Sequence, residues 1–188
     1  MTHAGPLPRA TAWRRVARCV ARTAAMLARG EIHQPQENVG RVIRFADRSS
    51  GRVYRETTVD HPVPLDPCVL VVAFRLRAVR GRGHTAFEWE SLLNTPLFVG
   101  FPGFVSKLWL THDSHGNYRG LYEWDGPVAA EQYARALWRV LELVSERGSI
   151  GFRVFPNLRR DEVLADPSRL DGHARGDEDS WWRVVAAV

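Results

Sequence analysis

The chain contains one lysine, Lys107, among 26 basic residues, and the other 25 are arginines. Lys107 lies in a strand-like segment two positions before Trp109, so their side chains share one face of the strand. An ammonium group at such a place stabilises a phenolate or enolate as negative charge develops on it. In a chain that uses arginine almost everywhere else, the compact ammonium group makes Lys107 the first residue to mutate.

Three further charged residues lie on predicted strands, at positions that bring them to the face of Lys107: Arg75, Glu123 and Arg153. We predict that Lys107 pairs with Glu123, because their strands are neighbours in a hairpin and a buried charge needs a partner. Two interpretations stay open. The charges are structural ion pairs at a dimer interface or on a wet sheet face, or they line a cavity that polarises an anionic or phenolic substrate.

Aromatic residues near these charges predict an apolar pocket for a small molecule, formed by Trp109, Tyr122 and Trp124. Strict alternation along the second strand of the body places Phe104 in the core under the helices. The same alternation puts Lys107 and Trp109 on the opposite face of the sheet. Which face of the sheet forms the pocket stays open at this point.

His84 and Glu88 are one turn apart at the start of a predicted helix. Such a pair is either a general base with a neighbouring carboxylate or a surface cap, and we interpret it as the cap while keeping both residues as site candidates. His112, Asp113 and His115 have a spacing that suits a metal ion, but they lie in a predicted hairpin turn without a further ligand. We predict a solvated turn there and no metal site.

The composition is that of an ordinary soluble globular protein, with 45% hydrophobic and 25% charged residues. Cys19 and Cys68 lack the spacing of a metal or redox motif, so we predict buried apolar side chains and a cytoplasmic location. Residues 80–84 contain two glycines but are too few for a nucleotide-binding loop, and we expect no cofactor. The longest apolar run, residues 68–74, is too short to span a bilayer.

The net charge of +5 belongs to the N-terminal segment. Residues 1–30 hold six arginines and no acidic residue, which leaves 20 basic and 21 acidic residues in the rest of the chain. A helix predicted from Thr11 to Arg29, with Gly30 as its C-cap, carries these arginines beside an apolar stripe. We interpret the stripe as a face that packs on the body. We expect neither nucleic acid nor membrane as a partner, and this helix is the one candidate surface for either.

The remaining segments follow a regular order of predicted strands and helices. A hairpin over residues 40–58 and a proline-rich linker over residues 61–67 precede the body. The body is predicted as β-α-β-β-α-β, over residues 68–76, 85–97, 104–112, 118–124, 126–147 and 149–155. This order predicts an α+β, ferredoxin-like fold. Residues 157–180 are polar and predict a loop or tail, and the two tryptophans that follow need a surface to cover them.

Three segments carry a recognisable family pattern: FPGFVSKLW at residues 101–109, YRGLYEWD at residues 118–125 and AAEQY at residues 129–133. They resemble the dimeric α/β-barrel proteins of the YdhR-like monooxygenase group. That group has a Pro-Gly-Phe entry to the second strand, a Lys and a Trp within that strand, a Gly-rich third strand and then a helix with Ala and Tyr. The match covers about residues 68–158, in order and with similar spacings.

The resemblance implies a homodimer whose two four-stranded sheets form a barrel, with a ligand bound in each protomer. It implies a cofactor-independent monooxygenase or cyclase that acts on an aromatic or polyketide-like small molecule. The alternative is a non-catalytic ligand-binding or protein-interaction module that uses the barrel as a dimerisation platform. The catalytic candidates are Lys107, Glu123, Arg75 and His84. The substrate-binding candidates are Trp109, Tyr122, Trp124, Arg153 and Glu88.

We expect four regions along the chain. These are a disordered N-terminus over residues 1–10, a helix-plus-hairpin extension over residues 11–66, a barrel domain over residues 67–158 and a C-terminal tail over residues 159–188.

Overall fold

The computed structural model describes residues 5–77, 95–173 and 177–188. Most of the helix predicted over residues 85–97 lies outside the described residues, and so do the site candidates His84 and Glu88. The described α-helices are α1 (Arg9–Arg29), α2 (Pro127–Val144) and α3 (Arg160–Ala165). Short 3₁₀ helices cover Thr95–Leu97, Pro167–His173 and Asp177–Trp182.

Eight strands of the described chain form one antiparallel sheet in the order β7-β4-β6-β5-β3-β2-β8, with β1 paired to β3. The strands are β1 (Ile32–His33), β2 (Val42–Phe45), β3 (Ser50–Val59), β4 (Pro67–Arg75), β5 (Phe104–Leu110), β6 (Asn117–Asp125), β7 (Gly151–Pro156) and β8 (Val184–Ala187). The four strands β7-β4-β6-β5 have the ferredoxin-like order, and α2 connects β6 to β7. The predicted α+β, ferredoxin-like fold with an N-terminal helix and hairpin is confirmed.

The N-terminal hairpin belongs to the same sheet as the body, because β3 pairs with β5 along its length. Without β3, the outer edge of β5 would expose a row of unpaired backbone groups. The hairpin therefore completes the sheet rather than standing beside it. It also brings side chains of β3 next to those of β5, which matters for the site described below.

Helix α1 packs one face on the body, as its apolar stripe predicts. Its buried residues recur at helical spacing: Ala12, Val16, Cys19, Thr23 and Met26. Gly30 ends the helix in the left-handed conformation that was expected of a C-cap. The helix begins at Arg9, directly after Pro8, so Thr11 lies within its first turn and does not cap it. Across the described residues, no helix has both the length and the apolar character needed to cross a membrane.

A register shift between Phe104 and Ser106 overturns the predicted faces of β5. One extra residue in a strand reverses the alternation of all the side chains that follow it. Phe104 and Trp109 consequently belong to the same core cluster, under α1 and α2, whereas Leu108 and Leu110 lie on the other face of the sheet. The expectation that Lys107 and Trp109 point away from the helices was wrong for this reason.

The second face of the sheet is covered by the C-terminal segment of the same chain. Val71 and Leu121 of the sheet form one core cluster with Leu164, Leu170 and Trp182. Strand β8 then pairs with β2 at the far edge of the sheet. The segment expected as a loop or tail is thus built of α3, two 3₁₀ helices and a strand, and its buried tryptophan packs on the chain itself.

The C-terminal segment occupies the sheet face that the implied homodimer would use. In a barrel of two sheets, a partner would pack on the face that the C-terminal segment occupies here, and it would have to displace side chains such as Leu170 and Trp182, both buried. The homodimer stays a prediction.

Both cysteines are free and buried, which confirms the interpretation of Cys19 and Cys68 as core side chains. Burial raises the pKa of Cys19 to about 11 and that of Cys68 to about 12. The thiolate is the reactive form of cysteine, so neither side chain is an activated nucleophile at neutral pH.

Candidate functional site

A cavity of about 350 Å³ lies between β5, β6 and helix α2. Its walls are mainly aromatic and aliphatic, with Phe98, Trp109 and Tyr122 on one side and Leu137 and Val140 on the helix. A volume of this size and an apolar lining are typical of a site for a small organic molecule. The cavity lies on the helix-covered face of the sheet, whereas strict alternation places Lys107 and Trp109 on the other face.

Lys107 lines this cavity, and aromatic rings surround its amine. Its Nζ lies 3.1 Å from the ring centroid of Trp109, 4.5 Å from that of Phe98 and 4.8 Å from that of Tyr122. Among the residues that the structure describes, no carboxylate forms a salt bridge with Lys107 and no acceptor forms a hydrogen bond with it. Three rings therefore surround an amine that has no counter-ion in the described part of the chain.

Burial lowers the pKa of Lys107 well below its ordinary value of 10.5, and the positive charge of Arg55 lowers it further. The Arg55 guanidinium lies over the Trp109 ring, with Cζ 3.9 Å from the ring centroid. A cation–π contact contributes about 0.5–2 kcal/mol, whereas removing an ammonium ion from water costs several kcal/mol. The neutral amine is consequently the form that this surrounding favours.

The N-terminal hairpin holds the indole ring of Trp109 in place. The Nε1–H of Trp109 donates a hydrogen bond to Oγ1 of Thr57 in β3, at 3.1 Å. Tyr54 and Arg55, from the same strand, contact the Trp109 ring. No sequence pattern indicated these contacts, since they follow from the pairing of β3 with β5, which brings distant segments of the chain together.

A pair of buried tyrosines forms the helix side of the site. The hydroxyl of Tyr133, on α2, donates a hydrogen bond to the Tyr122 hydroxyl at 3.2 Å. Burial raises the pKa of both hydroxyls above the usual value, so both stay neutral. The ring of Tyr133 also packs against Trp124 in a tilted arrangement, at a centroid distance of 4.8 Å. Trp124 is fully buried behind Tyr133, and it supports the cavity wall without lining the cavity.

Gly120 leaves room for the Tyr122 ring on the same face of β6. A Cβ at Gly120 would lie 2.7 Å from Cε2 of that ring, closer than side chains pack. Gly120 and Tyr133, like Phe98 and the β3 residues around Trp109, are site residues that sequence reasoning missed. A Gly-rich third strand and an apolar helix stripe were both noted, but neither pattern indicated that Gly120 and Tyr133 meet at Tyr122.

The predicted pairing of Lys107 with Glu123 was wrong. Lys107 lies opposite Tyr122 in the β5–β6 register, and Glu123 lies opposite Ser106. Lys107 and Glu123 therefore point to opposite faces of the sheet. Glu123 accepts a hydrogen bond from the backbone N–H of Arg160 at 3.1 Å, under the C-terminal segment. Burial there raises its pKa.

Two arginine candidates also lie outside the cavity. The Nε of Arg75 donates to Glu146 at 2.6 Å, and both side chains are nearly half exposed at the surface. The guanidinium of Arg153 lies over the Trp182 ring at 4.6 Å, beneath the C-terminal segment. Of the described charged candidates, only Lys107 thus belongs to the cavity with the aromatic residues.

The turn of histidines is held by hydrogen bonds within the turn. The Asp113 carboxylate accepts hydrogen bonds from the backbone N–H of His115 and of Asn117, and from Arg119. Burial raises the pKa of Asp113, but these hydrogen bonds together lower it below its usual value. No group of three potential metal ligands occurs within the described ranges.

Comparisons with known proteins give one similar solved structure. No family model matches the chain, and no curated protein matches it. The similar structure is an uncharacterized ferredoxin-fold protein from Listeria monocytogenes, described as related to antibiotic biosynthesis monooxygenases. It is 11% identical, with 69% of this chain and 93% of that chain covered at a TM-score of 0.37. The fold assignment therefore depends on the strand order above.

Proposed function

We propose that the protein is a cofactor-independent monooxygenase or cyclase that acts on an aromatic or polyketide-like small molecule bound beside Lys107. The observation that carries this proposal is a buried amine in an aromatic cavity of about 350 Å³, without a carboxylate partner among the described residues. Lowering the pKa of an amine by burial widens the pH range in which it is neutral and can accept a proton from a substrate. The assignment to the YdhR-like group is part of this proposal.

The first step is the transfer of a proton from a phenol or enol of the substrate to Nζ of Lys107. The reaction forms an ammonium ion and an oxyanion in apolar surroundings, where the attraction between them is stronger than in water. The rings of Trp109, Phe98 and Tyr122 then stabilise the new ammonium ion through cation–π contacts. The cavity thus favours the ion pair over either separated charge.

The second step uses the electron-rich form of the substrate. In a monooxygenase, its carbanion carbon reacts with dioxygen, and a methylene group becomes a carbonyl group. One oxygen atom enters the product, and the other leaves as water with the two hydrogen atoms of the methylene group. In a cyclase, the same carbanion attacks a carbonyl carbon of the substrate, forms a carbon–carbon bond and yields an alkoxide. The alkoxide takes the proton back from Lys107.

Tyr122 is the neutral hydrogen-bond donor of the site. Its hydroxyl oxygen accepts the hydrogen bond from Tyr133, so its own hydrogen is available to a substrate oxygen. Glu123, Arg75 and Arg153 have no part in this mechanism, because each lies outside the cavity. Among the described residues, the mechanism therefore depends on Lys107 as the base and on Tyr122 as the hydrogen-bond donor.

The test is turnover of electron-rich polyphenols and anthrones, measured as dioxygen uptake and product mass. We expect wild-type protein to convert at least one compound, and Lys107→Met to lower the rate about 100-fold or more, since the variant lacks the base. Gly120→Ala keeps Lys107 but fills the space beside Tyr122, so we expect weaker binding. Arg75→Met is the matched surface control and should leave turnover unchanged. Equal rates for wild type and Lys107→Met would contradict the proposal.

The alternative, a non-catalytic ligand-binding module, is favoured by one observation. The described lining of the cavity holds few groups that transfer protons at neutral pH, as both tyrosine hydroxyls have raised pKa values. Tight binding of an aromatic compound, weakened by Gly120→Ala but accompanied by no chemical change in any compound, would identify the protein as such a module.

A further inference from the structure

The environment of Lys107 suits covalent chemistry as well as proton transfer. A neutral lysine amine is a nucleophile toward carbonyl carbon, and enzymes obtain it by placing the amine in an apolar pocket or beside another cation. Lys107 has both features, since aromatic rings surround Nζ and Arg55 contacts the same Trp109 ring. In the described part of the chain, no carboxylate holds the amine in its protonated form.

We propose that Lys107 forms a covalent imine with apolar aldehydes or ketones that enter the aromatic cavity. This carbonyl-binding activity rests on the cavity of the proposed function, but it requires neither dioxygen nor an acidic phenol. It narrows the ligand class to molecules with an aromatic or aliphatic body and one accessible carbonyl group. A polyketide-like molecule has both features.

The reaction balances without a further reagent. The Nζ lone pair attacks the carbonyl carbon, and a proton moves from nitrogen to the carbonyl oxygen to give a carbinolamine. The hydroxyl group then leaves as water together with the remaining proton of the nitrogen, and the nitrogen lone pair forms the second nitrogen–carbon bond. The net change is one amine and one carbonyl compound converted to one imine and one water molecule.

Neighbouring groups suit both halves of this reaction. The hydroxyl hydrogen of Tyr122 is not used in its bond with Tyr133, so this hydroxyl can donate a hydrogen bond to the carbonyl oxygen and to the departing hydroxyl group. The raised pKa of Tyr122 keeps that hydrogen in place at neutral pH. The apolar walls of the cavity exclude water and thereby slow hydrolysis of the imine.

The composition of the chain makes this proposal simple to test. Lys107 is the single lysine, so the 188-residue chain has one other primary amine, the α-amino group. An α-amino group has an ordinary pKa of about 8, and it is therefore a reactive reference within the same molecule. Faster labelling of Lys107 than of the α-amino group is therefore an effect of the cavity around Lys107.

The experiment incubates the full chain with 2-naphthaldehyde and cyanoborohydride, which reduces an imine to a stable amine. Peptide mass mapping then locates the adduct. We expect labelling at Lys107 on the order of tenfold faster than at the α-amino group, because binding orients the aldehyde next to the amine. Glyoxylate, a small charged aldehyde, is the matched probe and should label the α-amino group alone. Lys107→Met should lose the internal adduct, and Gly120→Ala should form it more slowly.

The outcomes separate the two proposals. The chain has seven tryptophans, so binding beside Trp109 is reported by the part of the tryptophan quenching by 2-naphthaldehyde that Trp109→Phe removes. Binding with labelling only of the α-amino group would overturn the imine and leave the proposed small-molecule site intact. Neither binding nor labelling of Lys107 in folded protein, verified by circular dichroism, would overturn both.

Discussion

Replacement of Arg119 by methionine lowers the free energy of unfolding by about 3–5 kcal/mol, the usual effect of removing one member of a buried ion network. Arg119 is buried, and its Nη1 and Nη2 donate to Asp113 at 2.8 Å and to Asp47 at 2.7 Å. Its Nε donates to the carbonyl oxygen of Trp181 at 3.0 Å. The side chain thus joins β6 to two turns and to the C-terminal segment.

The matched control is Arg75→Met, the same substitution in an exposed pair. Arg75 and Glu146 are both nearly half exposed, so we expect a loss of about 0–1 kcal/mol. Chemical denaturation of the two variants measures the difference. Equal losses would show that the C-terminal segment is not anchored through Arg119.

Replacement of Lys107 by methionine raises the free energy of unfolding at neutral pH by up to several kcal/mol, the effective cost of taking one ion out of water. The thioether fills much the same space as the lysine stem, and it removes the cost of holding an amine in an apolar cavity. A variant that loses turnover and gains stability is the pattern expected where a functional residue is retained at the expense of stability. Loss of turnover through unfolding would instead lower stability.

The pH dependence of this gain follows from the lowered pKa of Lys107. Between that pKa and 10.5, the unfolded chain binds a proton at this lysine that the folded protein does not. Wild-type stability therefore rises with pH across this interval, by at most about 1.4 kcal/mol per pH unit. Lys107→Met has no lysine to titrate, so its stability does not change with pH for this reason. The difference in free energy of unfolding between variant and wild type is therefore largest at low pH, and it shrinks as the pH approaches 10.5.

Denaturation of both proteins from about pH 6 to about pH 9 measures the difference directly, and other titrating groups cancel in the comparison. An advantage that does not change with pH, or a variant that is less stable throughout, would show that Lys107 is not desolvated in the folded protein.

Local pattern was sufficient for the strand order of the body. Alternation and turn residues predicted the hairpin around residues 40–58 and the strands at residues 68–76, 104–112 and 118–124, and each is close to a strand in the structure. These strands could be predicted because buried and exposed side chains alternate along a strand, and the residue types in the sequence alternate in the same way. Gly30 as a C-cap follows from equally local chemistry.

Local patterns could not predict which side chains of β5 face the helices. The register shift between Phe104 and Ser106 depends on how β5 meets β6, and no residue type in the segment marks it. One shifted position moved Lys107 to the helix-covered face and separated it from Glu123. The shift also carries Trp109 to the face on which Tyr122 of β6 lies, so Lys107 and both rings line the same cavity.

The structure of the C-terminal segment is a second feature that local sequence patterns did not predict. Residues 160–173 are polar enough to predict a loop, yet Val163, Leu164 and Leu170 are buried against the sheet. Their spacing is irregular because short helices and 3₁₀ turns present them, rather than one long helix. Only the two tryptophans signalled that this segment covers a core.

The state of the Lys107 amine is the central claim, and the single lysine permits its direct measurement. Protein grown with isotope-labelled lysine gives one side-chain signal in nuclear magnetic resonance, and its shift against pH reports the pKa of this amine alone. We predict titration well below 10.5 in the folded protein, and a displaced signal when 2-naphthaldehyde is added. A signal that titrates at 10.5 in folded protein and does not respond to the aldehyde would contradict the account.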